Sequence, residues 1–138
     1  MVGDFTLRVF LPLADADNEN DRSMVISVEK LGLSMLVMGD SGAAVEQRLV
    51  LDKYGIASDV LLAGHHGSDD ATNDSFLKYV SPKNVLVSCA AASSYHHPGE
   101  EFLSRVENFG AKLFTTADRG TLRVNFSYNN IEIISQKN

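Results

Sequence analysis

The first 64 residues of this 138-residue chain contain no histidine, and cysteine occurs only once, at Cys89. A single cysteine excludes an internal disulfide and suits a reducing compartment. Its place inside the apolar run NVLVSCAAA marks Cys89 as an expected core residue. No apolar stretch approaches the roughly 20 residues that a membrane-spanning helix needs. Met1 leads straight into Val-Gly-Asp-Phe, with no basic segment and no apolar segment behind it. No signal peptide is therefore expected, and a cytoplasmic location is. The formal net charge is −6 and no Lys/Arg cluster exists, which argues against nonspecific nucleic-acid binding through a basic face. A nuclease that meets phosphate through a metal ion stays compatible with that charge. Hydrophobic content of 44% and charged content of 22% describe an ordinary globular protein, a single domain over residues 1–138.

Residues 5–12 (FTLRVFLP) alternate and end in proline, as a strand would, and residues 14–23 (ADADNENDRS) read as a solvated acidic loop. The segments 24–30 and 33–38 flank Leu31-Gly32 and predict a β-hairpin. After Asp40 the period changes. Ala43, Ala44, Gln47, Leu49, Val50 and Leu51 suit an amphipathic helix from about 42 to 54, closed by Gly55. The short apolar runs 59–64 and 84–90 predict strands covered on both faces. Between them Phe76, Leu77 and Val80 mark a second helix, with caps offered by residues 72–74 and a stop at Pro82. A third helix spans 100–109, with Phe102, Leu103 and Val106 inward and Gly110 as its stop. Three further strand-like segments follow, around the turn Tyr128-Asn129-Asn130. The order predicts a layered α/β domain with a mixed β-sheet and about three helices.

All four histidines fall in two adjacent pairs, His65-His66 and His96-His97, each just after an apolar run. A third run ends in Gly39-Asp40. Histidine is the commonest protein metal ligand and the side chain that titrates nearest neutrality. Asp40 alone reads as a helix N-cap before it reads as a ligand. In an extended chain adjacent residues point to opposite sides, so one histidine of each pair should face a site while the other packs or hydrogen-bonds. Pro98 restricts His97 to extended geometry. Each interval, Asp40 to His65 and His65 to His97, holds one helix and one strand, so crossovers bring all three positions to one sheet edge. An Asp with two His is a sufficient protein set for a catalytic zinc, or for Mn²⁺ or Fe²⁺.

The segments Leu36-Val37-Met38-Gly39-Asp40, Asp59 to Ser68 (DVLLAGHHGS) and Tyr95-His96-His97-Pro98 resemble the C-terminal half of a metallo-β-lactamase-like domain, an αββα fold. In pattern they are most similar to the hydrolase-like domain of ComEC-type competence proteins, the membrane channels of DNA uptake. Asn18 to Ser23 also looks like a segment of that family. The resemblance implies Asp40 as a carboxylate bridging two metal ions, His97 as a late ligand, and His65 as ligand or proton shuttle, with His66 as the fallback. Zinc or manganese would be the cofactor and a phosphodiester, as in DNA, the substrate. The family's N-terminal His-x-His-x-Asp-His motif does not occur in this chain, Met38 replaces a usual Thr, and His96 replaces a usual Gly. A chain with three such ligands is expected to hold an ion weakly and to be weakly active or inactive alone. A fragment of the family would sit against a membrane channel. The competing expectation is a non-catalytic half-domain whose uncovered sheet face pairs with a missing N-terminal half or with a second copy as a homodimer.

Overall fold

The computed structural model describes residues 4–10, 16, 18–92 and 94–136. Eight strands are present among them: β1 (Thr6–Phe10), β2 (Val25–Lys30), β3 (Leu33–Val37), β4 (Val60–Leu62), β5 (Asn84–Val87), β6 (Lys112–Thr115), β7 (Thr121–Ser127) and β8 (Asn130–Gln136). The helices are α1 (Ala43–Leu51), α2 (Asp74–Val80), α3 (Glu100–Phe109) and the single-turn α4 (Thr116–Arg119). Strands β1 to β6 form one sheet in sequence order, and β7 and β8 form a separate hairpin. The pairs β1–β2 and β2–β3 are antiparallel, whereas β3, β4, β5 and β6 run parallel. Parallel neighbours need a crossover, and α1, α2 and α3 supply the three. The mixed sheet is thus as expected, with one short helix more than the sequence pattern suggested.

All three longer helices feed one hydrophobic core. Val45 and Leu49 of α1, Phe76, Leu77 and Val80 of α2, and Phe102 and Val106 of α3 pack with Val25, Leu36, Leu61, Val85 and Val87 of the sheet. The expected inward face of α1 needs correction. Ala43, Ala44, Gln47 and Leu51 are exposed, and the buried stripe is Val45, Glu46 and Leu49. A pair at i, i+4 sets that stripe, and Glu46 belongs to it because its carboxylate is bonded from the loop beyond β4. The helix also ends earlier than expected, at Leu51, with Lys53 in a left-handed conformation. Strand β5 stops at Val87, three residues short of the expected end. Cys89 lies past it, part-buried against the core rather than inside it. Of the expected first strand, Leu11 and Pro12 lie outside the described residues, as do Ala14, Asp15 and Asp17 of the acidic loop.

The opposite face of the sheet is only partly covered. Strand alternation places Leu7, Val28 and Met35 in one row and Val9, Ile26 and Val37 in the next. Phe126 of β7 meets Phe5 edge-on at 5.5 Å between ring centroids, so the hairpin reaches this face. Leu7 and Val9 are nonetheless 43% and 50% exposed, and the other four are half-buried. No helix among the described residues is long and apolar enough to cross a membrane.

Candidate functional site

The C-terminal ends of β3, β4 and β5 converge, and each runs into a segment of the site. Met38 N–H bonds the Leu62 carbonyl at 3.2 Å, and Ala63 N–H bonds the Leu86 carbonyl at 2.9 Å, so the ladder continues past the strands. From Gly64 to Gly67 the chain makes one tight turn. His65 and His66 both lie in the left-handed region, at φ 48° and 55°. This corrects the expectation of an extended doublet. Left-handed backbone is uncommon for residues other than glycine and costs on the order of 1–3 kcal/mol each, so the surroundings must enforce it. They do: His65 N–H bonds the Gly39 carbonyl at 3.1 Å, Ser68 N–H bonds the His65 carbonyl at 3.0 Å, and Gly99 N–H bonds the Gly67 carbonyl at 2.9 Å. A Cβ on Gly64 would run into the Ser41 carbonyl, and one on Gly67 would meet Pro98, Phe102 and Val87 at 3.0–3.2 Å. The two glycines let the turn sit tightly between β3 and α3.

The tight turn sends the two imidazoles to different partners. His65 Nε2 faces the Asn20 side-chain nitrogen at 3.3 Å, and its Nδ1 lies 3.2 Å from Asp70 Oδ1. An amide N–H donates and a carboxylate accepts, so a neutral ring protonated on Nδ1 satisfies both contacts. His65 is saturated. His66 Nδ1 lies 2.6 Å from the Ser88 carbonyl, which can only accept. A neutral His66 therefore carries its proton on Nδ1 and turns the Nε2 lone pair outward. That lone pair faces Asp40 Oδ1 at 3.3 Å. A nitrogen lone pair opposed to a carboxylate oxygen is completed by a proton or a cation between them. The histidine that Asp40 meets is thus His66, while His65 bonds Asn20 and Asp70.

His97 closes the site from the third segment. Its ring centroid is 5.6 Å from that of His65, and Tyr95 stacks on it at 6.1 Å and 13° between planes. With His66, Ser88, Cys89 and Ala90 these two rings line a cleft of about 400 Å³. Tyr95 is 79% exposed at its mouth. His96 is exposed and left-handed at φ 53°. Among the described residues no three or more His, Cys, Asp or Glu side chains are grouped so as to hold a metal ion.

Several residues of the site carried no decisive signal in the sequence. Asp40 is not the N-cap of α1. Gly42 occupies that position, and its N–H is taken by Asp21 Oδ1 at 3.0 Å. Ser23 Oγ accepts the Asp40 N–H at 3.2 Å. The acidic loop is therefore structural and not merely solvated, since Asn20, Asp21 and Ser23 all reach into the site. Asp69 caps α3 by accepting the Phe102 N–H at 2.9 Å. Asp70 is held below the usual carboxylate range. Its partial burial works upward, and the Ser68 hydroxyl and the His65 ring together outweigh it.

Relatives of the chain match across most of its length. No protein-family model matches it. Competence protein ComA of Neisseria gonorrhoeae is 39% identical over 108 residues, covering 77% of this chain and 16% of that protein. Recombination protein 2 of Haemophilus influenzae is 32% identical over 115 residues, covering 83% of the chain and 14% of the relative. ComE operon protein 3 of Bacillus subtilis is 29% identical over 126 residues, covering 91% and 16%. The chain is a relative of competence proteins. It spans about one sixth of the length of these relatives.

Proposed function

We propose that this chain is the C-terminal half of a metallo-β-lactamase-like domain of the competence type, and that Asp40 and His66 form part of a metal-dependent phosphodiesterase site completed by donors outside the chain. The observation that carries this reading is the His66 ring, oriented by the Ser88 carbonyl so that its Nε2 faces a carboxylate oxygen at 3.3 Å. The donors fit a divalent cation in part. Asp40 and His66 converge, and a third donor is lacking among the described residues. An anionic oxygen and an imidazole nitrogen suit zinc or manganese. An ion bound there would supply Lewis acidity toward a phosphoryl oxygen. The chain's own side chains then have distinct parts. Asp40 and His66 would hold the cation, and His97 with Tyr95 forms the wall of the cleft beside them. His65, with both ring nitrogens engaged by Asn20 and Asp70, anchors the turn that carries His66. The names of the relatives support a competence-related role.

The full chain, dialysed against trace zinc and manganese, should retain metal by mass spectrometry, up to about one ion per chain. The Asp40→Ala/His66→Ala variant should retain none above buffer. Equal metal in the two proteins, or none in either, contradicts the reading.

A second reading rests on the partly bare sheet face, where Leu7 and Val9 stand exposed. Contiguous apolar surface of this kind marks an interface, so the half-domain would serve in assembly as a homodimer. Light scattering at micromolar concentration should then give twice the monomer mass. A strictly monomeric chain sinks that reading.

A further inference from the structure

Glu46 has no part in the contacts around His66, yet its side chain is completely buried in α1. Its carboxylate accepts N–H bonds from the Thr72 backbone, from the Asn73 backbone at 3.1 Å and from the Asn73 side chain at 2.6 Å. The segment it grips is the loop that carries Asp69 and Asp70. Arg105 of α3 holds the same loop from the other side. Its guanidinium donates to the carbonyls of Asp69 at 2.7 Å, Ala71 at 2.9 Å and Thr72 at 3.2 Å. Between the two grips Thr72 sits at φ 58°, a left-handed conformation that is a real outlier for a β-branched side chain. Its buried hydroxyl has no hydrogen-bond partner. A strained residue with an orphaned polar atom persists only where neighbours enforce it.

The enforced loop has one direct consequence for the site. Asp70 takes its position from this segment, and Asp70 Oδ1 lies 3.2 Å from His65 Nδ1, where a carboxylate favours the proton on Nδ1 of a neutral ring. We infer that Glu46 and Arg105 are positioning residues: they clamp loop 69–73 so that Asp70 holds His65 in a single tautomer. Strain at Thr72 is the cost of that placement, offset by six hydrogen bonds of which several are charge-assisted. The inference concerns the same edge as the proposed hydrolytic site but does not depend on it, because its readout is a ring spectrum and not an activity.

The test is the nitrogen spectrum of the His65 imidazole in the full chain, without metal, for wild type and Glu46→Gln. Leu49→Ala, which cuts the core beside Glu46 and leaves the clamp whole, controls for stability alone. Wild type and Leu49→Ala should show His65 as one neutral tautomer protonated on Nδ1. Glu46→Gln places an amide NH₂ against backbone donors, and its His65 signals should move toward the averaged positions of two exchanging tautomers. Asp70→Asn provides the reference for the lost contact. Should Glu46→Gln fail to fold, Arg105→Met loosens the loop from α3 and is read in the same way. Folded clamp variants with a wild-type His65 spectrum, or a shift of equal size in Leu49→Ala, overturn the inference.

Discussion

Phe102→Ala is expected to lower the free energy of unfolding by about 3–5 kcal/mol, the usual cost of truncating a fully buried aromatic ring. Phe102 is wholly buried on α3. Its ring edge also supports Gly67, where an added Cβ would come within 3.2 Å of it. The cavity therefore opens beneath the turn that holds His65 and His66 left-handed. Urea unfolding should show the loss as a lower midpoint at unchanged slope. The His66–Ser88 contact should loosen in the same variant, seen as faster exchange of the His66 ring proton. A loss below about 1 kcal/mol would mean that the core under the turn is redundant.

The second large effect is a pH dependence traced to one carboxyl. Burial pushes Glu46 from 4.5 up to about 7, against the downward pull of the Asn73 and Thr72 amides and of Arg105; Asp70 adds a small upward push. In the unfolded chain Glu46 loses its proton near pH 4.5, and in the fold it keeps it until about pH 7. The folded state therefore binds more protons between those values, and stability falls as pH rises through the window. Stability from this group is complete below pH 4.5 and is lost by about pH 7, a change of about 3 kcal/mol. Asp70 has the opposite sign, with stability lost as pH drops below 3.8, outside this window. Other carboxyls titrate too, so the readout is the difference between wild type and Glu46→Gln by urea unfolding from pH 4.5 to 8. A difference that does not change with pH contradicts the assignment.

The sheet and the helices behind the site were largely legible from sequence, for a physical reason. Runs such as DVLLAG and NVLVSCA are short and continuously apolar, which strands covered on both faces require. Phe76, Leu77, Val80, Phe102 and Val106 keep helical spacing, and all five are buried. The helix α1 was read less well because its decisive buried residue is an acid. Periodicity counts Glu46 as a surface position, and only the loop at 72–73, 26 residues away, explains its burial. The same limit applies to the site. Strand ends placed Asp40, His65 and His97 at one edge, as crossover topology demands. Which imidazole of a doublet meets Asp40 depends on two successive left-handed residues, a conformation with no marker in His-His. The Asn20 and Asp21 contacts come from a loop whose composition reads as solvent-facing. Long-range hydrogen bonds of single polar side chains leave no periodic trace.

The account stands or falls on His66, not His65, being the imidazole that works with Asp40. The most direct measurement is the loss of histidine ring signals in the nuclear magnetic resonance spectrum as Mn²⁺ is added to the full chain. His66 should broaden first and His65 and His97 later, and Asp40→Ala should abolish the early loss at His66. Early broadening of His65 with His66 unchanged, or the same response in Asp40→Ala, would contradict it.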